Sequence, residues 1–350
     1  MMIAIGHRKI GSEVPPCVIA EMSGNHNRSL ERALAIVDAA ADAGAHAIKL
    51  QTYTADTMTL DLDGPGFRID DPKSLWHGQM LYKLYEQAAT PWEWHAPLFE
   101  RAKARGLIAF STPFDETAVD FLETLDVPCY KIASFENTDL PLIRRAAATR
   151  KPLIMSTGMA TIEELEASVS AAREAGCSNV ILLKCTSAYP ATAADANLAT
   201  LPHMRELFQC EVGLSDHTMG VGVAVAAVAH GATVIEKHFT LARADGGVDG
   251  AFSLEPSELA SLVSETRQAW LALGEIAYGP QSEAERASVQ FRRSLYFVRD
   301  LVAGDVIDQA AVRAIRPGYG LPPGAIDRVI GSRVARNVSR GTPVTPDLLQ

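Results

Sequence analysis

His217 and His238 each close a short strand-like run, GLSDH and TVIEKH, with one helix-sized segment between them. Two imidazoles brought to neighbouring strand ends make a metal site. Other polar residues stand where a hydrophobic core would not accept them: Lys49 and Gln51 in AIKLQTY, Lys131 in CYKIAS, Ser156 in LIMSTG and Ser215 in GLSDH. Side chains two apart on a strand share a face, so Lys49 with Gln51, Ser215 with His217, and Glu236 with His238 point the same way. A buried lysine needs an anion, and two of them beside a metal call for a strongly anionic ligand such as a phosphate ester. Each residue also has a plainer reading, since a single histidine at a strand end is more often a satisfied structural group.

The bulk composition leaves room for such a site. The chain has 350 residues, 47% of them hydrophobic and 21% charged, which is ordinary for a globular protein of one large and one small domain. Its formal net charge of -10 argues against a nucleic-acid or anionic-membrane partner, so local lysines must attract any anionic substrate. Five cysteines without a C-x-x-C pair read as reduced thiols of a cytoplasmic protein. The opening MMIAIGHRKIG has no secretion-signal core, and VGVAVAAVAHGATVIEK is too short and too interrupted to span a bilayer.

The elements that must carry these residues alternate. After a hairpin over residues 3 to 13 come eight strand and helix units, from CVIAEMS and SLERALAIVDAAADAG to ATVIEKHFT and PSELASLVSETRQAWLALG. A long polar insertion, residues 54 to 90, interrupts them. Eight units in about 250 residues are what a (β/α)8 TIM barrel requires, and the polar residues fall at the C-terminal ends of its strands, where such barrels carry chemistry. An open doubly wound sheet fits less well, because no Gly-rich loop follows the first strand. The predicted domains are a barrel over 1–280, a linker over 281–290 and a small β-rich domain over 291–350, whose strand-like pieces are RSLYFV, DVI and RVARNV.

The motifs IAEMSGNH, IKLQTY, STPF, YKIASFE, STGMAT, LKCTSAYP, VGLSDHT, EKHFT and RPGYGL resemble, in order and over almost the full length, the sialic acid synthase family. That resemblance implies a barrel followed by a small antifreeze-protein-like (SAF, β-clip) domain, a domain-swapped homodimer, a divalent metal, and condensation of phosphoenolpyruvate with an amino-sugar aldehyde to a nine-carbon 2-keto acid. QTYTADTMTL, LYKLYEQAATPWEWH and GGVDGAFSLEP are more similar to the pseudaminic acid branch than to the N-acetylneuraminate branch. The implied sugar is 2,4-diacetamido-2,4,6-trideoxy-L-altrose, with N-acetylneuraminate or legionaminic acid precursors as the alternatives. Its 6-methyl group calls for an apolar pocket, for which Phe67 and Trp76 of the insertion are available.

The resemblance also assigns roles. His217 and His238 would hold the metal; imidazole with oxygen ligands suits Mn2+, with Mg2+ or Co2+ as alternatives, whereas a closed zinc site would want four protein ligands. Lys49 and Lys131 would hold phosphoenolpyruvate, with Thr112, Ser134, Ser156, Ser187 and Ser215 donating hydrogen bonds; Ser187 departs from the asparagine of the neuraminate branch. Glu21, Gln51, Glu136, Tyr189 and Asp249 would face the sugar, and Glu21, Lys131 and Asp249 would take part in catalysis. Glu21 as an acceptor for nearby backbone donors, Glu136 as a support behind the sugar contacts, Asp249 as a turn cap and Tyr189 as a loop anchor remain open. Cys185 reads as core. Arg316 would reach across the dimer to the sugar's acetamido group. Two other classes stay in view: a Schiff-base aldolase using Lys131 as an amine nucleophile, and a binding role for the small domain.

Overall fold

The computed structural model describes residues 2–350; they divide into two units, the first ending at Gly274 and the second spanning Glu275–Gln350. In the first unit the hairpin β1 (Ile3–Ile5) and β2 (Arg8–Ile10) pairs antiparallel. Its Ile3, Ile5 and Ile10 join the main core. Eight parallel strands follow: β3 (Cys17–Glu21), β4 (Ala47–Thr52), β5 (Ile108–Pro113), β6 (Tyr130–Ile132), β7 (Leu153–Ser156), β8 (Val180–Cys185), β9 (Glu211–Ser215) and β10 (Val234–His238). They close into a barrel in sequence order, with β10 pairing back onto β3. The TIM barrel expected from the alternating pattern is therefore what forms.

Local chemistry explains the helices between the strands. The helix Leu30–Asp42 buries Ala33, Ile36, Val37 and Ala40, one stripe at helical spacing, and Ser29 caps it by accepting from the Arg32 N–H. Thr161 and Glu164 form a reciprocal capping box on Ile162–Glu174. Small residues let the helix Gly222–Ala229 lie close to its neighbours, with Ala224, Ala227 and Val228 buried. Burying a valine- or leucine-sized side chain contributes about 1.5–3 kcal/mol, so these stripes hold the outer ring on the barrel. Among the described residues, no helix is long and apolar enough to cross a membrane.

The insertion is more structured and less polar than expected. It contains the short helices Ala55–Met58 and Leu81–Ala88. The Arg68↔Met80 bridge folds its middle back on itself. In the second unit β11 (Ser294–Phe297) pairs antiparallel with β12 (Val312–Ile315) over a core that includes Leu295, Phe297, Ile307, Val334 and Val344. The sequence pattern points to the first of these strands and misses the second. The DVI and RVARNV pieces contribute only isolated bridges, Val306↔Arg333, Leu301↔Val338 and Val334↔Leu349, because close-spaced turns limit each pairing to one residue. The expected linker carries a short helix, Glu283–Ser288, capped by Ser282.

Candidate active site

Strand register builds the floor of a cavity of about 300 Å3 at the C-terminal mouth of the barrel. Glu21 at the end of β3 is level with His238 on β10 and with Lys49 on β4. Ser215 on β9 is level with Glu236 on β10. Alternation then aims all of these at one point. Lys49 ion-pairs with Glu21 and donates to Thr112 Oγ1 at 2.9 Å. Lys131 donates to Ser156 Oγ at 2.6 Å. Between the two ammonium groups lies Glu236, whose Oε1 is 3.9 Å from Lys49 Nζ and 3.6 Å from Lys131 Nζ and accepts from Ser215 Oγ at 3.2 Å. Gln51 donates to Glu21 Oε1 at 3.0 Å.

The charges follow from this arrangement. Burial opposes ionisation of Glu236, but Lys131 and Lys49 outweigh it and lower its pKa. Burial lowers Lys131, against the pull of Glu236. Lys49 is raised: Glu21 and Glu236 outweigh its burial. Burial pushes Glu21 up to about 7 against Lys49, with Glu236 adding to the rise. Burial likewise raises Glu136 to about 7, with Lys131 opposing, and Glu136 Oε2 is buried without a hydrogen-bond partner among the described residues. The floor therefore holds two lysines whose resident counter-charges are carboxylates that an incoming anion can replace.

One side of the cavity is different in character. Met58, Ile69, Trp76, Leu81, Leu84 and Tyr85 of the insertion line it. The Trp76 indole N–H donates to the Val248 carbonyl at 2.9 Å, tying the insertion to the loop after β10. The next residue, Asp249, accepts from Ser23 and its Oδ2 lies 3.5 Å from His238 Nδ1.

The NeuB family is matched by residues 36–278. The chain belongs to the NeuB family. A SAF domain is matched by residues 292–350, so the small β unit is of that type. The chain is 41% identical over 335 residues to a pseudaminic acid synthase of Helicobacter pylori, covering 95% of this chain and 97% of that one. It is 43% identical to a pseudaminic acid synthase of Campylobacter jejuni, covering 93% and 94%. Its structure resembles the crystal structure of an N-acetylneuraminic acid (sialic acid) synthetase from Leptospira borgpetersenii in complex with citrate, with a TM-score of 0.72, 34% identity, and coverage of 83% of this chain and 96% of that one.

Within this NeuB-family barrel, Glu21, Lys49, Gln51, Thr112, Lys131, Ser134, Glu136, Ser156, Tyr189, Ser215, His217, His238 and Asp249 all line the one cavity. Ser187 is outside that lining, with its Oγ 3.9 Å from Cys185 Sγ. Ser134 and Ser187 both crowd Gly158, where an added Cβ would come within 2.7 Å and 2.2 Å of their hydroxyls and push them aside. Arg316 is an exposed residue of the second unit, just past β12. Trp76 lines the cavity and Phe67 does not. Cys185, read as core, is buried but also lines the cavity, with its Sγ 3.9 Å from His217 Nδ1. Sequence reasoning missed Glu236 as the bridge between the lysines, together with Ser23, Tyr53 and most of the apolar wall. The signal for Glu236 was its position two residues before His238.

The two imidazoles fit a metal. Their ring centroids are 5.3 Å apart. His217 Nδ1 lies 3.0 Å from the Thr186 carbonyl; a carbonyl can only accept, so Nδ1 carries a proton and Nε2 is the ring nitrogen left to face a metal. His238 Nδ1 is buried with no hydrogen-bond partner among the described residues. Burial, reinforced by the charges of His217 and Lys49, keeps His238 neutral by lowering its pKa well below 6.5. For His217, contacts with Cys185 and the Thr186 carbonyl outweigh burial and raise it. No third His, Cys, Asp or Glu completes a group with them among the described residues.

Proposed function

We propose that the chain is a pseudaminic acid synthase, condensing phosphoenolpyruvate with 2,4-diacetamido-2,4,6-trideoxy-L-altrose and water to give pseudaminic acid and phosphate. The observation that carries this reading is a single cavity with two buried lysines on its floor and an apolar wall beside it. The pseudaminic acid synthases to which the chain is similar over nearly its whole length support the choice of sugar.

Lys49 and Lys131 hold the phosphate and carboxylate of phosphoenolpyruvate, displacing their contacts with Glu21 and Glu236, and Thr112, Ser134, Ser156 and Ser215 donate hydrogen bonds. C3 of the enol phosphate then attacks the open-chain aldehyde carbon, water adds at C2, and phosphate leaves by C–O cleavage. His217 and His238 would hold a divalent metal, most simply Mn2+, which would supply Lewis acidity to the condensation. Glu21, Gln51, Glu136, Tyr189 and Asp249 orient the sugar. Burial raises the Glu136 pKa to about 7, so this carboxyl would exchange a proton near neutrality. The enzyme acts in the cytoplasm as a homodimer, and Arg316 of the SAF domain contributes a planar donor set to the sugar site of the partner subunit.

The test is phosphate release from phosphoenolpyruvate across a panel of hexoses. The trideoxy diacetamido sugar is expected to give the highest kcat/KM. An equal or higher value with N-acetylmannosamine would move the chain to another branch of its family.

A further inference from the structure

The ladder between β9 and β10 ends two residues before the imidazoles. Its last level pair is Glu236 with Ser215, followed by one bond from the Asp216 N–H to the Glu236 carbonyl at 2.9 Å. His217 lies beyond it, with its carbonyl turned to the Ala191 N–H at 3.1 Å, and His238 is level with Glu21 on the other neighbouring strand. No backbone pairing of β9 with β10 therefore sets the spacing of the two rings.

A side-chain clamp takes over at that level. Asp216 and Lys237 alternate with the histidines, so they point away from the cavity, and both are buried. Lys237 Nζ donates to Asp216 Oδ2 at 2.7 Å and to the Thr218 carbonyl at 2.6 Å. Asp216 Oδ1 accepts from the Thr218 N–H at 2.9 Å and from its hydroxyl at 2.8 Å. The segment holding His217 is thus gripped on both sides by the neighbour of His238. Burying an ion pair gains little stability over apolar residues of the same volume, so stability alone does not account for it. Its bonds do fix one geometry.

We propose that Asp216, Lys237 and Thr218 are positioning residues that set the spacing and orientation of His217 and His238 as a metal-binding pair. This rests on the metal reading given above. Partners that orient ligating histidines typically govern metal affinity by 10–100-fold.

The test measures Mn2+ binding to the substrate-free full chain, from the electron paramagnetic resonance signal of free Mn2+, with denaturant unfolding alongside. Replacing the clamp by apolar residues, Asp216→Leu with Lys237→Met, leaves no charge unpaired. It is expected to unfold as cooperatively as the wild type yet bind Mn2+ at least about tenfold more weakly. His217→Ala is the control and should abolish tight binding. A folded double variant with wild-type Mn2+ affinity would overturn the positioning role and leave the metal reading intact, whereas unchanged binding in His217→Ala would overturn both. Should the double variant not fold, Asp216→Asn, which keeps the volume and one acceptor oxygen, decides in the same way: weaker Mn2+ binding supports the clamp and unchanged binding refutes it.

Discussion

The floor and the wall of the cavity are built by different means. Each polar group on the floor projects from a barrel strand or the loop at its end, and strand register delivers Lys49, Lys131, Glu21 and Glu236 to one point although they are far apart in sequence. The wall, from Met58 to Tyr85, comes from a segment outside the barrel ladder, held by a few ties such as Trp76 to Val248. On the proposed function, the chemistry falls to the part of the fold that cannot shift without breaking the barrel, and selectivity to the part that can be exchanged.

Substitutions should separate the two. Lys131→Ala removes a cation from the floor and leaves Glu236 with one lysine. The expected loss is about 4 kcal/mol of transition-state stabilisation, or roughly a thousandfold in kcat/KM for phosphoenolpyruvate, in a protein whose circular dichroism is unchanged. Near-normal kcat/KM would show that the floor does not hold the anion. Glu236→Gln is subtler, because the two lysines lose their shared counter-charge. The free protein should be destabilised by about 3 kcal/mol, and saturating phosphoenolpyruvate should recover part of this, so its thermal shift should exceed that of the wild type. Equal shifts would remove Glu236 from its role as the resident anion.

The wall should respond more gently and only toward the sugar. Trp76→Ala removes apolar surface and the tie to Val248, and kcat/KM for the trideoxy sugar should fall by about 2 kcal/mol, or roughly thirtyfold, with the KM for phosphoenolpyruvate unchanged. Equal losses toward both substrates would mean that the wall and the floor are not separable.

The smallest effect concerns the ends of the insertion. His95 Nε2 is bonded to Thr52 at 2.8 Å, just before the insertion begins, and His26 Nε2 to Thr90 at 3.2 Å, where it ends. Burial lowers both imidazoles to about 4. An unfolded histidine titrates near 6.5, so at lower pH the unfolded chain takes up the proton first. The contribution to stability is whole above pH 6.5 and is lost as pH falls toward 4, by about 1 kcal/mol for each imidazole between pH 6.5 and 5.5. Urea unfolding at a series of pH values checks this, and His95→Gln should flatten the dependence. An identical slope in that variant would remove His95 as its source.

Much of the floor was legible in the sequence. Lys49, Lys131 and the two histidines stand out because an apolar strand that ends in a charge has few structural reasons to do so, and the alternation of strands and helices fixed the barrel that gathers them. Glu236 was visible as a residue sharing a face with His238. Its place between two lysines depends on barrel closure, which no local pattern reveals. The wall was hidden for another reason: Ile69, Leu81 and Leu84 follow no single period, and their partners are scattered along the chain. Strand β12 escaped notice because Val312–Ile315 is short and carries Arg313 in its middle, so it reads as a turn until β11 lies beside it.

In the proposed reaction, phosphate leaves phosphoenolpyruvate on the lysine floor by C–O cleavage while C3 joins the sugar. The most direct measurement uses phosphoenolpyruvate carrying 18O at the bridging oxygen, with the trideoxy diacetamido sugar as acceptor, and mass analysis of both products. The label is expected to leave with the phosphate. Label retained in the nine-carbon keto acid would mean P–O cleavage and would contradict the proposed reaction.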